Sequence, residues 1–276
     1  MTADTRTGVG IREVTPDEVS DIEERGWTFL PGLVPPDVVE RLLETGRSFV
    51  GPAFEGTEKE AGRAGYSRRE NANFANYYRG AFESDICAQV ALCPQLGRNA
   101  ALLLGRDMRM RYHSDLIAVK LPKDMETTVA GNDVTVWHQD VRLVRTNCVS
   151  FWISLTENTP EMGTMRYRDG SHKLGELYQP LEDWPQINRL PLSEPLTYQP
   201  GDATAHVSFA VHGAPQNLSQ DPRWAYICAY LPADAPLLGI PSVYTDEYVA
   251  SGELVAGKPL DHPAFPVVYD PATGGS

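Results

Sequence analysis

The stretch from about residue 108 to 232 constrains the fold more than any other part of the chain. It is a succession of short apolar segments rich in β-branched and aromatic residues: LIAVKLP (116–122), VTVWHQD (134–140), CVSFWISL (148–155), TMRYR (164–168), ATAHVSFAVHG (203–213) and RWAYICAYLP (223–232). Turn chemistry separates them, at Pro122, Asn132, Asn147, Pro160, Gly163, Asp169-Gly170, Pro200-Gly201-Asp202 and Asp221-Pro222. Many short strands between such turns predict an antiparallel sandwich or barrel of the jelly-roll type. The 172–200 stretch is Pro-rich and interrupts the strand pattern, as a lid-like insertion would.

The residues before this stretch, 1–107, read as mostly helical and are expected to pack outside the barrel. Thr15-Pro16-Asp17-Glu18 has the form of a helix start: Thr15 caps, Pro16 suits the first turn and Glu18 closes a capping box. WTFLPGLV (27–34) reads as a short strand broken at Pro31-Gly32. A helix opening at Pro35-Pro36-Asp37 puts Val38, Val39, Leu42 and Leu43 on one face, and 85–104 reads as another helix. Residues 56–80 look like a polar surface loop, and 236–276 like a Pro/Gly-rich tail without evident chemistry. With 276 residues and no internal repeat, the expectation is one domain over 1–276.

Charge narrows the partners. Lys+Arg is 24 against 37 Asp+Glu, a formal charge of -13, which disfavours nucleic acid and anionic membranes as main partners. A small-molecule substrate remains, since an anionic ligand needs only one or two well-placed cations. No apolar run approaches the roughly 18 residues of a spanning helix. Nothing near the start reads as a signal peptide, and Cys87, Cys93, Cys148 and Cys228 form no CxxC pair, so reduced thiols in a cytoplasmic protein are expected. An apolar face on the first helices would permit a homodimer; oligomeric state is not readable from the sequence.

Strand geometry turns one motif into chemistry. Residues i and i+2 of a strand share a face, so His138 and Asp140 would present an imidazole and a carboxylate side by side. A second imidazole from a distant strand would complete a 2-His-1-carboxylate set, which leaves open positions on a metal and suits non-haem Fe(II) oxygenases. The spacing alone is weak: chance supplies roughly 0.4 such pairs in a chain of this composition, and there are two, His113/Asp115 and His138/Asp140. The third ligand also has two candidates, His206 and His212, six apart and hence on one face of a regular strand. Gly213 would let the chain bend away just after His212, while His206 sits deeper and reads first as a core histidine bonded to a neighbour.

Two cations stand in apolar strands. Arg223 opens RWAYICAYLP, eleven residues after His212, and an inward guanidinium there would need an anionic partner. Its fork matches a carboxylate, for which the distal carboxylate of 2-oxoglutarate is a natural candidate. Lys120 poses the same question in LIAVKLP, with a snorkelling lysine as the plainer reading.

Taken together, these residues resemble the phytanoyl-CoA dioxygenase family of Fe(II)/2-oxoglutarate-dependent oxygenases. The likeness runs from about residue 15 to 233, through EERGWTFLPGLVPPDVVERLLE, VKLP, WHQD, VSFWISL, MGTMRYRDGSHKLG and PGDATAHVSFAVHGAPQNLSQDPRWAYICAYLP. It implies a cupin-like double-stranded β-helix with the N-terminal helices outside it. It also implies His138, Asp140 and His212 as iron ligands, and Arg223 as the 2-oxoglutarate clamp. Lys120 and Trp152 fall where family members contact 2-oxoglutarate, and O2 would be the other co-substrate. Two departures stand out. Ala214 occupies a place where the family often carries a small hydroxyl residue. Residues 141–147 carry Arg142 and Arg145 and lack the aromatics often found there. Because Asp140 is present, the resemblance speaks against the halogenating variant, which lacks the carboxylate. The implied activity is oxidation at a C–H bond of a small to medium organic metabolite, in natural-product tailoring. The alternatives are a metal-dependent cupin isomerase, which needs no Arg223, and a jelly-roll binding module with structural histidines.

Overall fold

The computed structural model describes residues 9–50, 75–122, 134–140, 143–178, 180–242 and 244–273. Residues 56–74 of the polar loop and Arg142 lie outside this set. In chain order the main elements are α1 (Pro16–Arg25), β1 (Trp27–Leu30), α2 (Pro36–Val50), β2 (Ala75–Tyr78), α3 (Asp85–Ala91), α4 (Pro94–Leu103), β3 (Met110–Lys120), β4 (Thr135–His138), β5 (Val149–Ser154), β6 (Arg166–Tyr167), α5 (Pro185–Asn188), β7 (Ala203–Val207), β8 (His212–Ala214), β9 (Arg223–Pro232), α6 (Asp246–Ser251) and β10 (Val267–Tyr269). All strand pairs are antiparallel. A seven-stranded sheet runs β1-β7-β5-β9-β3-β10, with β2 also on β3, and faces a three-stranded sheet, β4-β8-β6. This is the jelly roll that the strand pattern predicts.

The helices cover the outer face of the large sheet. Ile22, Leu42, Val90 and Leu96 pack there against Ile117, Phe151, Ala205 and Tyr226. α1 begins on the capping box read from the sequence: the Glu18 amide donates to Thr15 Oγ1 and the Thr15 amide to Glu18 Oε2. The helix ends at Gly26, whose φ of 87° is a left-handed cap. Some boundaries differ from expectation. Residues 85–104 divide into α3 and α4, because Pro94 cannot continue a helix from Cys93. The tail is not featureless: it adds β10 to the large sheet and packs Leu254, Leu260 and Phe265 on Leu143 and Leu231. The insertion lies behind the small sheet. Its Leu181 and Ile187 pack with Val211 and Trp137, whose neighbours His212 and His138 turn the other way. All four cysteines are free and buried. Among the described residues, no helix is long and apolar enough to cross a membrane.

A bulge in β3 separates the first His-x-Asp pair. The register of β3 on β9 shifts between Tyr112 and Ser114, which breaks the i, i+2 rule. Asp115 turns to the helix side and accepts hydrogen bonds from the hydroxyls of Tyr112 and Tyr226 and the Ala81 amide. Burial pushes its carboxyl up to about 6, against those hydrogen bonds and the charge of Arg79. A folded value above the unfolded one, about 3.9, gives stability that is complete below pH 4 and lost as pH rises through 6. Two units correspond to about 3 kcal/mol. Asp115→Asn is therefore expected to gain about 3 kcal/mol on wild type between pH 4 and 7, read as the difference in urea-unfolding free energy. A difference that does not change with pH would show that this carboxyl titrates normally.

Candidate active site

The two sheets meet at the second His-x-Asp pair. His138 ends β4 and sits opposite His212 on β8, with ring centroids 4.2 Å apart. Gly213 allows this approach, because a Cβ there would stand 2.8 Å from the Thr135 carbonyl oxygen and 3.3 Å from the Trp137 ring. Asp140 follows the end of β4, tied by its amide to the Ser208 carbonyl at 3.2 Å, and brings Oδ1 to 3.6 Å from His212 Nε2. One potential ligand atom from each of His138, Asp140 and His212 lies within 4.8 Å of the other two.

Neighbouring groups set the state of each of these side chains. His138 Nδ1 is 2.8 Å from the Val136 carbonyl and His212 Nδ1 is 2.9 Å from the Ala210 carbonyl. A carbonyl only accepts, so both Nδ1 atoms carry the proton and both Nε2 lone pairs face the cluster. Burial, then the neighbouring His138 and His206, hold the His212 pKa well below the usual imidazole range. The ring is therefore neutral at neutral pH, as a metal ligand must be. Asp140 behaves oppositely: burial raises its pKa, but the His206 hydrogen bond and the three imidazoles outweigh that and keep it ionised. Its Oδ2 accepts from Ser150 Oγ at 2.8 Å and bonds His206 Nε2 at 3.1 Å, leaving Oδ1 toward His212.

His206 thus has a place of its own. The expected single strand over 203–213 divides at Ser208–Ala210, so His206 lies on the large sheet and His212 on the small one. Their rings still approach to 4.3 Å across the interior. His206 stands beside Ser150 in register, and the two orient Asp140 together. Ser150 was not among the sequence candidates; only the pairing of β5 with β7 reveals it. Gln139, between the two ligand candidates, faces away and secures the insertion, bonding the carbonyls of Gly175 and Phe209 and the Leu177 amide.

The buried cations stand on the large sheet, and Tyr167 connects them to the donors: its phenol feels the charges of both Asp140 and Arg223. Lys120 and Arg223 are register partners on β3 and β9, and each is 0% exposed. Lys120 Nζ donates to the carbonyls of Ala214, at 3.3 Å, and Pro215. Arg223 donates to the Gly163 carbonyl, and its guanidinium carbon lies 5.2 Å from the Trp152 ring. Gly163 is required: its φ is 70°, and a Cβ would stand 2.3 Å from the Pro215 carbonyl oxygen. Burial lowers the Arg223 pKa to about 10, opposed by the phenols of Tyr198 and Tyr167, so it stays protonated at neutral pH. Two adjacent buried cations fit an anionic ligand, and the His/Asp/His donors fit Fe(II). The other pair does not converge: His113 packs edge-on to Tyr244 while Asp115 points to the helices.

Comparison with solved structures supports the architecture. The carbocyclase SnoK from nogalamycin biosynthesis, described as non-heme and alpha-ketoglutarate dependent, superposes with a TM-score of 0.72 at 23% identity, over 92% of this chain and 96% of that one. The epimerase SnoN, solved with Fe3+, alpha-ketoglutarate and nogalamycin RO, gives 0.74 at 20% identity, over 91% and 97%. EvdO2 from Micromonospora carbonacea var. aurantiaca, complexed with 2-oxoglutarate, gives 0.57 at 20%, over 84% and 96%. Among curated proteins no sequence matches the chain. The model of the phytanoyl-CoA dioxygenase family matches residues 22–225. With that match spanning most of the chain and the His/Asp/His cluster in the cleft, the protein belongs to the phytanoyl-CoA dioxygenase (PhyH) family of non-haem iron, 2-oxoglutarate-dependent oxygenases.

Proposed function

We propose that this oxygenase oxidises a C–H bond of a small to medium organic metabolite in natural-product tailoring. His138, Asp140 and His212 hold Fe(II), and Arg223 with Lys120 holds the distal carboxylate of 2-oxoglutarate. The observation that carries this reading is the convergence of the three donors near two adjacent, fully buried cations, with Tyr167 linking them: its ring lies 6.0 Å from that of His212 by centroids and its phenol feels the charges of both Asp140 and Arg223. With O2, the iron and 2-oxoglutarate supply the oxidation, releasing succinate and CO2.

The chain's own groups bind, orient and exclude water. The carbonyls of Val136 and Ala210 hold both imidazoles in the tautomer that exposes Nε2. Ser150 and His206 keep Asp140 turned so that one oxygen is left to the metal. Arg223 and Lys120 would pair with the distal carboxylate of the dicarboxylate beside Trp152. Relatives of the same fold named for epimerisation and ring formation favour a natural-product substrate, and the cytoplasm is the expected compartment.

An anaerobic titration with Fe(II) and then 2-oxoglutarate, followed by visible absorption, tests the reading without a known substrate. A weak charge-transfer band is expected once both are bound. Iron uptake without the band would favour a metal-dependent isomerase; no iron uptake would overturn the triad. His113→Ala is expected to keep wild-type Fe(II) affinity within about twofold, since its ring lies outside the donor cluster; removing a group that orients a ligand would cost about 10–100-fold. Loss of iron from that variant would return the other His-x-Asp pair to candidacy.

A further inference from the structure

We infer that the Tyr198 hydroxyl is a further holder of the co-substrate, donating a hydrogen bond to the distal carboxylate that Arg223 pairs with. This rests on the reading of the cleft as a 2-oxoglutarate site. Tyr198 comes from the chain just after the insertion, where its amide and carbonyl pair with those of Asn158 at 2.9 and 3.0 Å. That pairing drives the ring under the inner face of the large sheet. The side chain is 0% exposed, 4.9 Å from the Trp152 ring and 5.6 Å from that of Phe29 by centroids. Its hydroxyl is buried and makes no hydrogen bond of good geometry among the described residues; Thr204 is the one side chain that interacts with it as a weak partner. The nearby Thr204 hydroxyl is engaged with Tyr167 at 2.8 Å.

A buried hydroxyl without a partner costs free energy unless a ligand supplies one. The neighbours say which ligand fits. Trp152, which the ring touches, is also the residue that Arg223 covers. Burial raises the pKa of the Tyr198 phenol, and the Thr204 hydroxyl and then the Arg223 charge oppose that rise without cancelling it. The phenol therefore stays protonated and can donate, and a carboxylate only accepts. Ala214 packs in the same cluster as Tyr198, Trp152 and Tyr167 and has no hydroxyl to offer. Tyr198, in the same cluster, can supply the donor that Ala214 lacks. Held by its ring contacts with Phe29 and Trp152, it would meet the carboxylate with little ordering cost.

The test compares wild type with Tyr198→Phe, which keeps the ring and removes only the oxygen. Each protein, loaded with Fe(II) under anaerobic conditions, is titrated calorimetrically with 2-oxoglutarate and with 2-oxopentanoate, the same chain length without the distal carboxylate. The variant is expected to bind 2-oxoglutarate about tenfold more weakly, as the loss of a hydrogen bond to a charged group implies. Its affinity for 2-oxopentanoate and its Fe(II) affinity are expected to be unchanged, and its melting temperature without keto acid to be no lower than that of wild type. Wild-type affinity for 2-oxoglutarate in the variant would overturn the inference. An equal loss for both keto acids would overturn it as well, assigning Tyr198 to packing alone. A wild-type protein that takes up Fe(II) and binds neither keto acid would overturn the functional reading itself, and this inference with it.

Discussion

Asp140→Ala is expected to abolish 2-oxoglutarate turnover and to weaken Fe(II) binding by more than about 100-fold, beyond the roughly 10–100-fold that losing a group hydrogen-bonded to a ligand costs. The carboxylate is the one anionic donor in the proposed triad. Without it two neutral imidazoles face a dication, and nothing in the cluster offsets its charge. Ser150 and His206 also lose the oxygen they orient, so the inner wall of the cleft relaxes with the ligand. The fold has little reason to follow. Asp140 lies beyond the end of β4, and its backbone tie to Ser208 survives the substitution. Metal titration monitored beside thermal unfolding separates the two effects. Wild-type succinate production by this variant would sink the triad, whatever its stability.

The contrast between the two His-x-Asp pairs shows how far sequence reasoning reaches. Both have the same spacing, and i, i+2 periodicity treats them alike. Only the bulge between Tyr112 and Ser114 turns Asp115 to the helices, and a bulge has no reliable signature in side-chain pattern. The strands themselves were legible, because β-branched and aromatic runs between Pro, Gly and Asn have few other ways to fold. Which sheet each run joins was not. The separation of His206 from His212 depends on a turn at Ser208–Ala210 inside an apolar run that reads as one strand. Groups acting through long-range register escaped altogether. Ser150 reaches Asp140 because β5 lies beside β7, and Tyr198 reaches the cation end because its backbone pairs with Asn158. The insertion reads as a lid from its prolines, yet Leu181 and Ile187 give it an apolar face to bury, and the outer side of the small sheet offers Trp137 and Val211.

Arg223→Lys is expected to weaken 2-oxoglutarate binding by about 10- to 100-fold, the range for losing one or two hydrogen bonds to a charged group, while Fe(II) affinity stays as in wild type. Charge is conserved, so the effect isolates geometry. A guanidinium presents two parallel N–H donors to a carboxylate and still has one left for the Gly163 carbonyl. An ammonium at the same position is a point charge on a shorter reach, and it cannot serve both. Its desolvation is also costlier, because an ammonium is the more strongly hydrated ion and position 223 is fully buried beside a second cation, Lys120. The loss should therefore appear in the affinity for 2-oxoglutarate, well before any change at the metal, which lies further along the cleft. An unchanged 2-oxoglutarate affinity would move the clamp elsewhere, with Lys120 as the first residue to test. A parallel loss of Fe(II) would mean that the two ends of the cleft are not independent, and that the cation pair supports the metal site through β9 and the Trp152 ring.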